Sequence, residues 1–220
     1  MSILYVDGRA GASGDMMWSA LWDLSRGQGL SFDEELDQLQ SYFPPEESYH
    51  HRSYRRIEKM IHHAPIPDRA KLYAKNIYQT IGRVEAQIHG CTLDNLHLHE
   101  LGRSEAIHNI LGIALFYHGL SVGGLRCSPL TVGSGKVRCS HGDMEVPVPA
   151  VRSLMKQSSL FFQKGTVSEE LLTPSGLAVL MGLDAEPGSM PRGRIIGSGE
   201  GKGTKKTGLG HLKVLLIEEN

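Results

Sequence analysis

The stretch Leu96-His97-Leu98-His99-Glu100-Leu101-Gly102 sets two imidazoles two residues apart, with a carboxylate directly after them. In an extended strand successive side chains point to opposite faces, so His97 and His99 share a face with roughly 6.5 to 7 Å between their Cα atoms. The two rings are then expected to converge on one point at the end of a strand. Neutral imidazole is a common ligand of nickel, zinc and copper, and the carboxylate of Glu100 can add an oxygen ligand or take a proton. A pair of hydrogen-bonded histidines on a half-exposed strand is the plainer alternative for an isolated motif. Leu96, Leu98 and Glu100 alternate onto the other face, where the leucines anchor the strand in a core, and Gly102 turns the chain into the next helix.

Other groups with chemistry lie on both sides of this motif. Glu85 and His89 stand four apart in a helical run, so they share a face and can reach a common ion or pair with each other. Asp7-Gly8-Arg9-Ala10-Gly11-Ala12-Ser13-Gly14-Asp15 reads as a glycine-rich loop between a strand and a helix, and free N–H groups at a helix start favour an anion. That loop has no lysine, fails the P-loop spacing and carries two carboxylates, Asp7 and Asp15, that repel phosphate unless a cation or Arg9 intervenes. Capping of the helix by Asp15 is an equally good explanation. Leu172-Thr173-Pro174-Ser175-Gly176 offers hydroxyls at another helix start, for capping or for an anion. His50, His51 and His141 fall in expected loops or turns, where exposed polar residues are commonplace.

The elements that must position these groups follow from periodicity. A strand is expected over residues 3–6 and helices over 16–24, 32–43, 53–63, 69–89 and 103–118. Asp68 should cap the fourth of these, whose apolar stripe is Leu72, Ile77, Ile81, Val84 and Ile88. Strands are expected over 125–132, 135–139 and 144–148, and Pro149 suits the first position of a helix reaching residue 156. A further helix over 177–182 and two strand-like segments, 194–203 and 209–218, complete the chain. The fold class is mixed α/β, with a helical middle and a strand-rich C-terminal half. Residues 1–220 form one compact unit or two closely packed subdomains of about 1–120 and 121–220.

Composition excludes several classes. Lys and Arg number 23 against 24 Asp and Glu, with no basic run, which argues against a nucleic-acid partner. No apolar run approaches the roughly 18 residues of a membrane span, and the first residues lack a charged leader pattern, so a cytoplasmic protein is expected. Cys91, Cys127 and Cys139 form no Cys-x-x-Cys pair, which fits a reducing compartment and argues against a zinc knuckle.

Taken together, the ordered motifs resemble the LarC family. They are Leu4-Tyr5-Val6-Asp7, Gly11-Ala12-Ser13-Gly14-Asp15-Met16, His89-Gly90, His97-Leu98-His99-Glu100-Leu101-Gly102, Cys127-Ser128-Pro129-Leu130, Val137-Arg138-Cys139-Ser140-His141-Gly142, Val146-Pro147-Val148-Pro149-Ala150 and Leu172-Thr173-Pro174-Ser175-Gly176. LarC proteins insert nickel into the pincer nucleotide of lactate racemase. The resemblance covers nearly the whole chain and implies nickel insertion into pyridinium-3,5-bisthiocarboxylic acid mononucleotide, a lyase-type chelatase and cyclometallase step driven in the family by CTP with Mg²⁺ or Mn²⁺. Within it, His97 and His99 would hold nickel, and Glu100 or His89 would take the ring proton. Ser13, Gly14, Asp15, Thr173 and Ser175 would hold the nucleotide. The resemblance is to the N-terminal part of the family, so a separate C-terminal CTP-binding domain protein is an expected partner, and a homo-oligomer is left open. Two other classes remain, a non-catalytic nickel delivery subunit and a nucleotide-binding module without metal chemistry. The family usually continues Gly-Ala-Val-Asp-Ser-Ile-Val-Asp where this chain has Gly102-Arg103-Ser104-Glu105-Ala106-Ile107-His108-Asn109, so any site using both aspartates is altered.

Overall fold

The computed structural model describes residues 1–42, 52–139, 142–203 and 208–219. The chain runs β1 (Ser2–Asp7), α1 (Gly14–Gly27), α2 (Asp33–Tyr42), β2 (Arg52–Ser53), α3 (Tyr54–His63), α4 (Asp68–His89), β3 (His97–Leu98) and α5 (Ser104–Gly119). It continues through β4 (Gly124–Cys127), β5 (Leu130–Val132), β6 (Lys136–Cys139), β7 (Gly142–Glu145), α6 (Pro149–Gln157), β8 (Phe162–Lys164), α7 (Pro174–Gly182), β9 (Glu186–Pro187), β10 (Gly193–Gly201) and β11 (Leu212–Glu219). The architecture is mixed α/β. Among the described residues no helix is long and apolar enough to cross a membrane.

A helix that is apolar on all sides must be surrounded. In α5, residues Ile107 and Ile110 to Tyr117 are all buried, and in α7 so are Leu177 to Leu180. These two helices occupy the middle of the molecule. α4 packs against both, and α1 packs against both on its other contacts. Trp18 and Trp22 of α1 bring their rings to 5.5 and 5.4 Å from Phe116 of α5.

One five-stranded sheet, in the order β10-β11-β1-β4-β9, closes the far side of α1. The first and last strands pair antiparallel along their full length, while β1, β4 and β9 run parallel. The alternation of a half-covered sheet turns Leu4, Val6, Leu125, Val214 and Leu216 into the helical core, where each is at most 5% exposed. Strands β9 and β10 form opposite edges of this sheet. The connection from Pro187 to Gly193 therefore joins the two edges, with Gly188 lying against the Arg126 side chain and Gly193 against Glu218 and Ile217. Among the described residues one buried core draws on both halves of the chain.

Several expected boundaries shift for physical reasons. Asp68 is the first residue of α4, and Pro67 holds the cap position without a side-chain cap bond. Leu72 is 54% exposed, because it lies about 140° around the helix from Ile77. Ala70, Ala74 and Tyr78 complete the buried stripe instead. The expected strand over 125–132 splits into β4 and β5 at Ser128-Pro129: β4 stays in the large sheet, while β5 pairs with β8. Proline cannot donate to a ladder, so the chain leaves the sheet there. The expected strand over 144–148 is shifted back to β7.

Candidate functional site

Helix α4 ends at Gly90, whose left-handed φ of 64° lets its N–H bond to carbonyls of the last turn. Glu85 and His89 thus sit at a fixed helix end, with His89 Nε2 3.6 Å from the Glu85 carboxylate. The chain then forms β3, which pairs with β2 through Ser53 opposite His97 and Arg52 opposite Leu98. Leu96 and Leu98 are buried as expected, at 1% and 3% exposure.

The strand stops one residue earlier than the His-x-His alternation requires. His99 leaves the extended region, with φ −83° and ψ −93°, and opens a tight turn over Glu100–Gly102. Arg52 imposes this turn. Its buried guanidinium donates to the Gly102 carbonyl at 2.5 Å and the Ser104 hydroxyl at 2.9 Å. A Cβ on Gly102 would stand 2.9 Å from the Arg52 backbone nitrogen, so glycine is required for this close approach. The consequence is that His97 is exposed while His99 is half-buried and packs beside His89, with ring centroids 6.0 Å apart and planes 27° from parallel. Glu100, expected on the core side, is exposed instead.

These residues open onto one cleft of about 610 Å³. His89, His97, His99 and Glu100 line it, together with Thr173 and Ser175 from more than seventy residues later in the chain. Ile88, Leu98, Leu101, Val137, Met144 and Val148 supply apolar wall. A largely apolar cavity of this size with a few polar groups suits a nucleotide-sized ligand. Arg103, Arg138 and Glu170, which no spacing in the sequence singles out, also line the cleft. Pro149 of the same cleft had a signal: it stands at the first position of α6, as Pro174 does in α7.

Ser13, Gly14 and Asp15 lie behind Ser175 and do not line the cleft. Gly11, with φ 86° and ψ −169°, carries the chain beneath Leu171. Ala12 then donates to the Leu171 carbonyl at 2.9 Å and accepts from the Thr173 N–H at 3.0 Å. Ser13 caps α1 by accepting from Met16 N–H at 3.4 Å, and its hydroxyl donates to the Asp15 carboxylate. The N–H of Gly14 donates to Ser175 Oγ at 3.3 Å. Thr173 caps α7 by accepting from Gly176 N–H at 3.2 Å, with Ser175 Oγ 3.0 Å from its own hydroxyl. Three N–H donors of residues 11–15, those of Gly11, Ala12 and Gly14, and that of Met16 just after them are therefore spent on protein acceptors. Asp7 grips Arg9, whose Nη2 lies at 2.5 Å, and this hydrogen bond above all holds the Asp7 carboxyl below the usual range.

A family profile described as "Nickel insertion protein" matches residues 35–220. The chain belongs to that family. A relative from Acetivibrio thermocellus, named pyridinium-3,5-bisthiocarboxylic acid mononucleotide nickel insertion protein, is 34% identical over 94% of this chain and 58% of its own length. A relative of the same name from Staphylococcus epidermidis is 34% identical over 92% of this chain and 55% of its own. The chain thus spans a little over half the length of these relatives. No solved structure matches it. All cleft residues of this nickel insertion family member fall inside the matched span, while Ser13, Gly14 and Asp15 precede it.

The two positions that depart from the LarC aspartates, Glu105 and Asn109, do not line the cleft. Among the described residues no group of three His, Cys, Asp or Glu side chains could hold a metal ion. Burial pushes the Cys127 thiol up to about 12, so it offers no ready thiolate. His50, His51 and His141 lie outside the described residues.

Proposed function

We propose that the cleft holds Ni²⁺ and a pyridinium mononucleotide together, and that it serves nickel insertion into pyridinium-3,5-bisthiocarboxylic acid mononucleotide. One observation carries this proposal: three imidazoles, two carboxylates and two hydroxyls, contributed by residues 89 to 175, line one cleft of about 610 Å³. The names of the two relatives support the choice of substrate.

The chemistry assigns each group a role. Nickel must be held and then surrendered, so a site with few protein ligands is an advantage. His97 and His99 supply two, and the remaining positions are left for the sulfurs of the substrate. Forming the nickel–carbon bond replaces a ring C–H bond: its electron pair passes to the new bond, nickel stays divalent, and the proton goes to a base. His89 and Glu100 are the candidates for that base. Thr173 and Ser175 contact the nucleotide, and Ser13, Gly14 and Asp15 support them from behind through the bond of Gly14 to Ser175. The CTP and Mg²⁺ or Mn²⁺ implied by the LarC resemblance are assigned to a partner domain, since neither the loop at residues 7–15 nor the run Gly197-Ser198-Gly199-Glu200-Gly201-Lys202-Gly203 has the spacing of a lysine-bearing phosphate loop.

The test compares His89→Gln and Glu100→Gln in a reaction containing Ni²⁺, precursor nucleotide, CTP and Mg²⁺, with the C-terminal part of a longer relative added. Loss of the base should slow metallation, read by mass, by about 100-fold or more, with binding of nickel and precursor unchanged. If both variants metallate at the parental rate, neither residue is the base. A parent that binds both ligands and yields no metallated product would be a delivery subunit.

A further inference from the structure

We propose that Arg103 and Arg138 form an anion receptor in the cleft that takes the phosphate of the mononucleotide. This rests on the reading of the ligand as a pyridinium mononucleotide, and it names the part of the ligand that these residues recognise.

Arg103 and Arg138 are the only lysine or arginine side chains lining the cleft among the described residues. Several arginines elsewhere on the surface have carboxylate partners, among them Arg55 with Asp94 at 2.9 Å, Arg194 with Glu218 at 2.8 Å, and Arg9 with Asp7 at 2.5 Å. Arg103 and Arg138 make no such pair among the described residues. Arg103 occupies the position before α5, where its side chain makes no cap bond. Arg138 stands on β6 with Asp143 directly opposite in the ladder, yet the two form no ion pair. Two positive charges thus line the cleft outside any ion pair with a described carboxylate.

The same cleft contains Glu85, Glu100 and Glu170. These carboxylates repel a phosphate that has no guanidinium beside it. A phosphomonoester carries close to two negative charges at neutral pH, and the planar fork of arginine binds it through paired N–H···O bonds. The loop at residues 11–15, the other place where an anion could be sought, has given most of its N–H donors to the protein. Arg103 also stands where the LarC pattern has alanine, so this half of the receptor is a departure of this chain. An arginine exposed at the mouth of a cleft, without a partner in the fold, costs nothing in folded-state contacts when its ligand is absent.

The experiment titrates the 220-residue chain with three probes: nicotinate mononucleotide, nicotinate riboside, which keeps ring and sugar but lacks the phosphate, and inorganic phosphate. Arg103→Gln and Arg138→Gln should each weaken the mononucleotide roughly tenfold or more. The double variant should bind it no better than the riboside. Riboside and Ni²⁺ affinities should stay at parental values. Parental mononucleotide affinity in the double variant overturns the receptor, as does an equal loss for the riboside, which would mean that the arginines shape the fold rather than hold phosphate. If inorganic phosphate binds in an arginine-dependent way while neither pyridinium ligand binds, the receptor stands and the mononucleotide assignment fails. Absence of binding by all three probes overturns both.

Discussion

The double substitution His97→Ala, His99→Ala should abolish nickel binding by the chain. The parent is expected to bind about one labile Ni²⁺ in the micromolar range, roughly 8 kcal/mol of binding free energy. Because no group of three His, Cys, Asp or Glu side chains that could hold a metal ion is found among the described residues, removing both takes away the two ligands assigned to the ion, and the affinity should fall by at least about a hundredfold. Folding should survive the change. His97 is exposed, and the buried anchors of the segment are Leu96 and Leu98, which are untouched. Calorimetric titration with Ni²⁺ reads the effect, with the far-ultraviolet circular dichroism of the variant as the control for folding. Parental affinity in the double variant would move the nickel site elsewhere, with His50, His51 and His141 next in line.

The largest effect on stability is expected at Gly11. Its φ of 86° and ψ of −169° lie in a region open essentially to glycine alone, and a Cβ there would stand 2.1 Å from the Leu171 carbonyl oxygen. Gly11→Ala must therefore pay for both backbone strain and overpacking, together roughly 3 kcal/mol or more. The displaced segment is the one that carries Ala12 between Leu171 and Thr173. Relief of the clash consequently shifts the start of α7, and with it Thr173 and Ser175 in the cleft. A fall in the denaturant midpoint, accompanied by weaker binding of the precursor nucleotide, is the expected result. A midpoint equal to the parent's would mean that the crossing of the two segments is not tight in solution.

Much of this arrangement is local, and local features were legible. The helical periods of α5 and α7, proline at the start of α6, the hydroxyls at the start of α7 and the two terminal strands each depend on neighbours within a few residues. The geometry at His99 was not, because alternation holds only while a strand is paired. The partner here is the two-residue β2, and Arg52, which lies far away in sequence, pulls the chain into a turn. The loop at residues 11–15 was balanced between ligand binding and capping. Its bonds to Leu171, Thr173 and Ser175 use donors that a ligand would otherwise need, and such long-range partners leave no trace in the spacing of residues. Arg103 and Arg138 gave no signal either. Isolated arginines have no periodicity, and only the folded cleft sets them beside the imidazoles.

The central claim is that nickel and the mononucleotide occupy one cleft and share ligands there. It is tested most directly by titrating Ni²⁺ into the chain with and without saturating precursor nucleotide. If the substrate's sulfurs complete the coordination begun by His97 and His99, each ligand must tighten the other by the same factor, a coupling of roughly 1 to 3 kcal/mol. The expected result is therefore a nickel affinity raised about 5- to 150-fold by the precursor, and a matching gain in precursor affinity when nickel is present. Equal nickel affinity with and without bound precursor would contradict the claim, because it would place the two ligands at sites that do not touch.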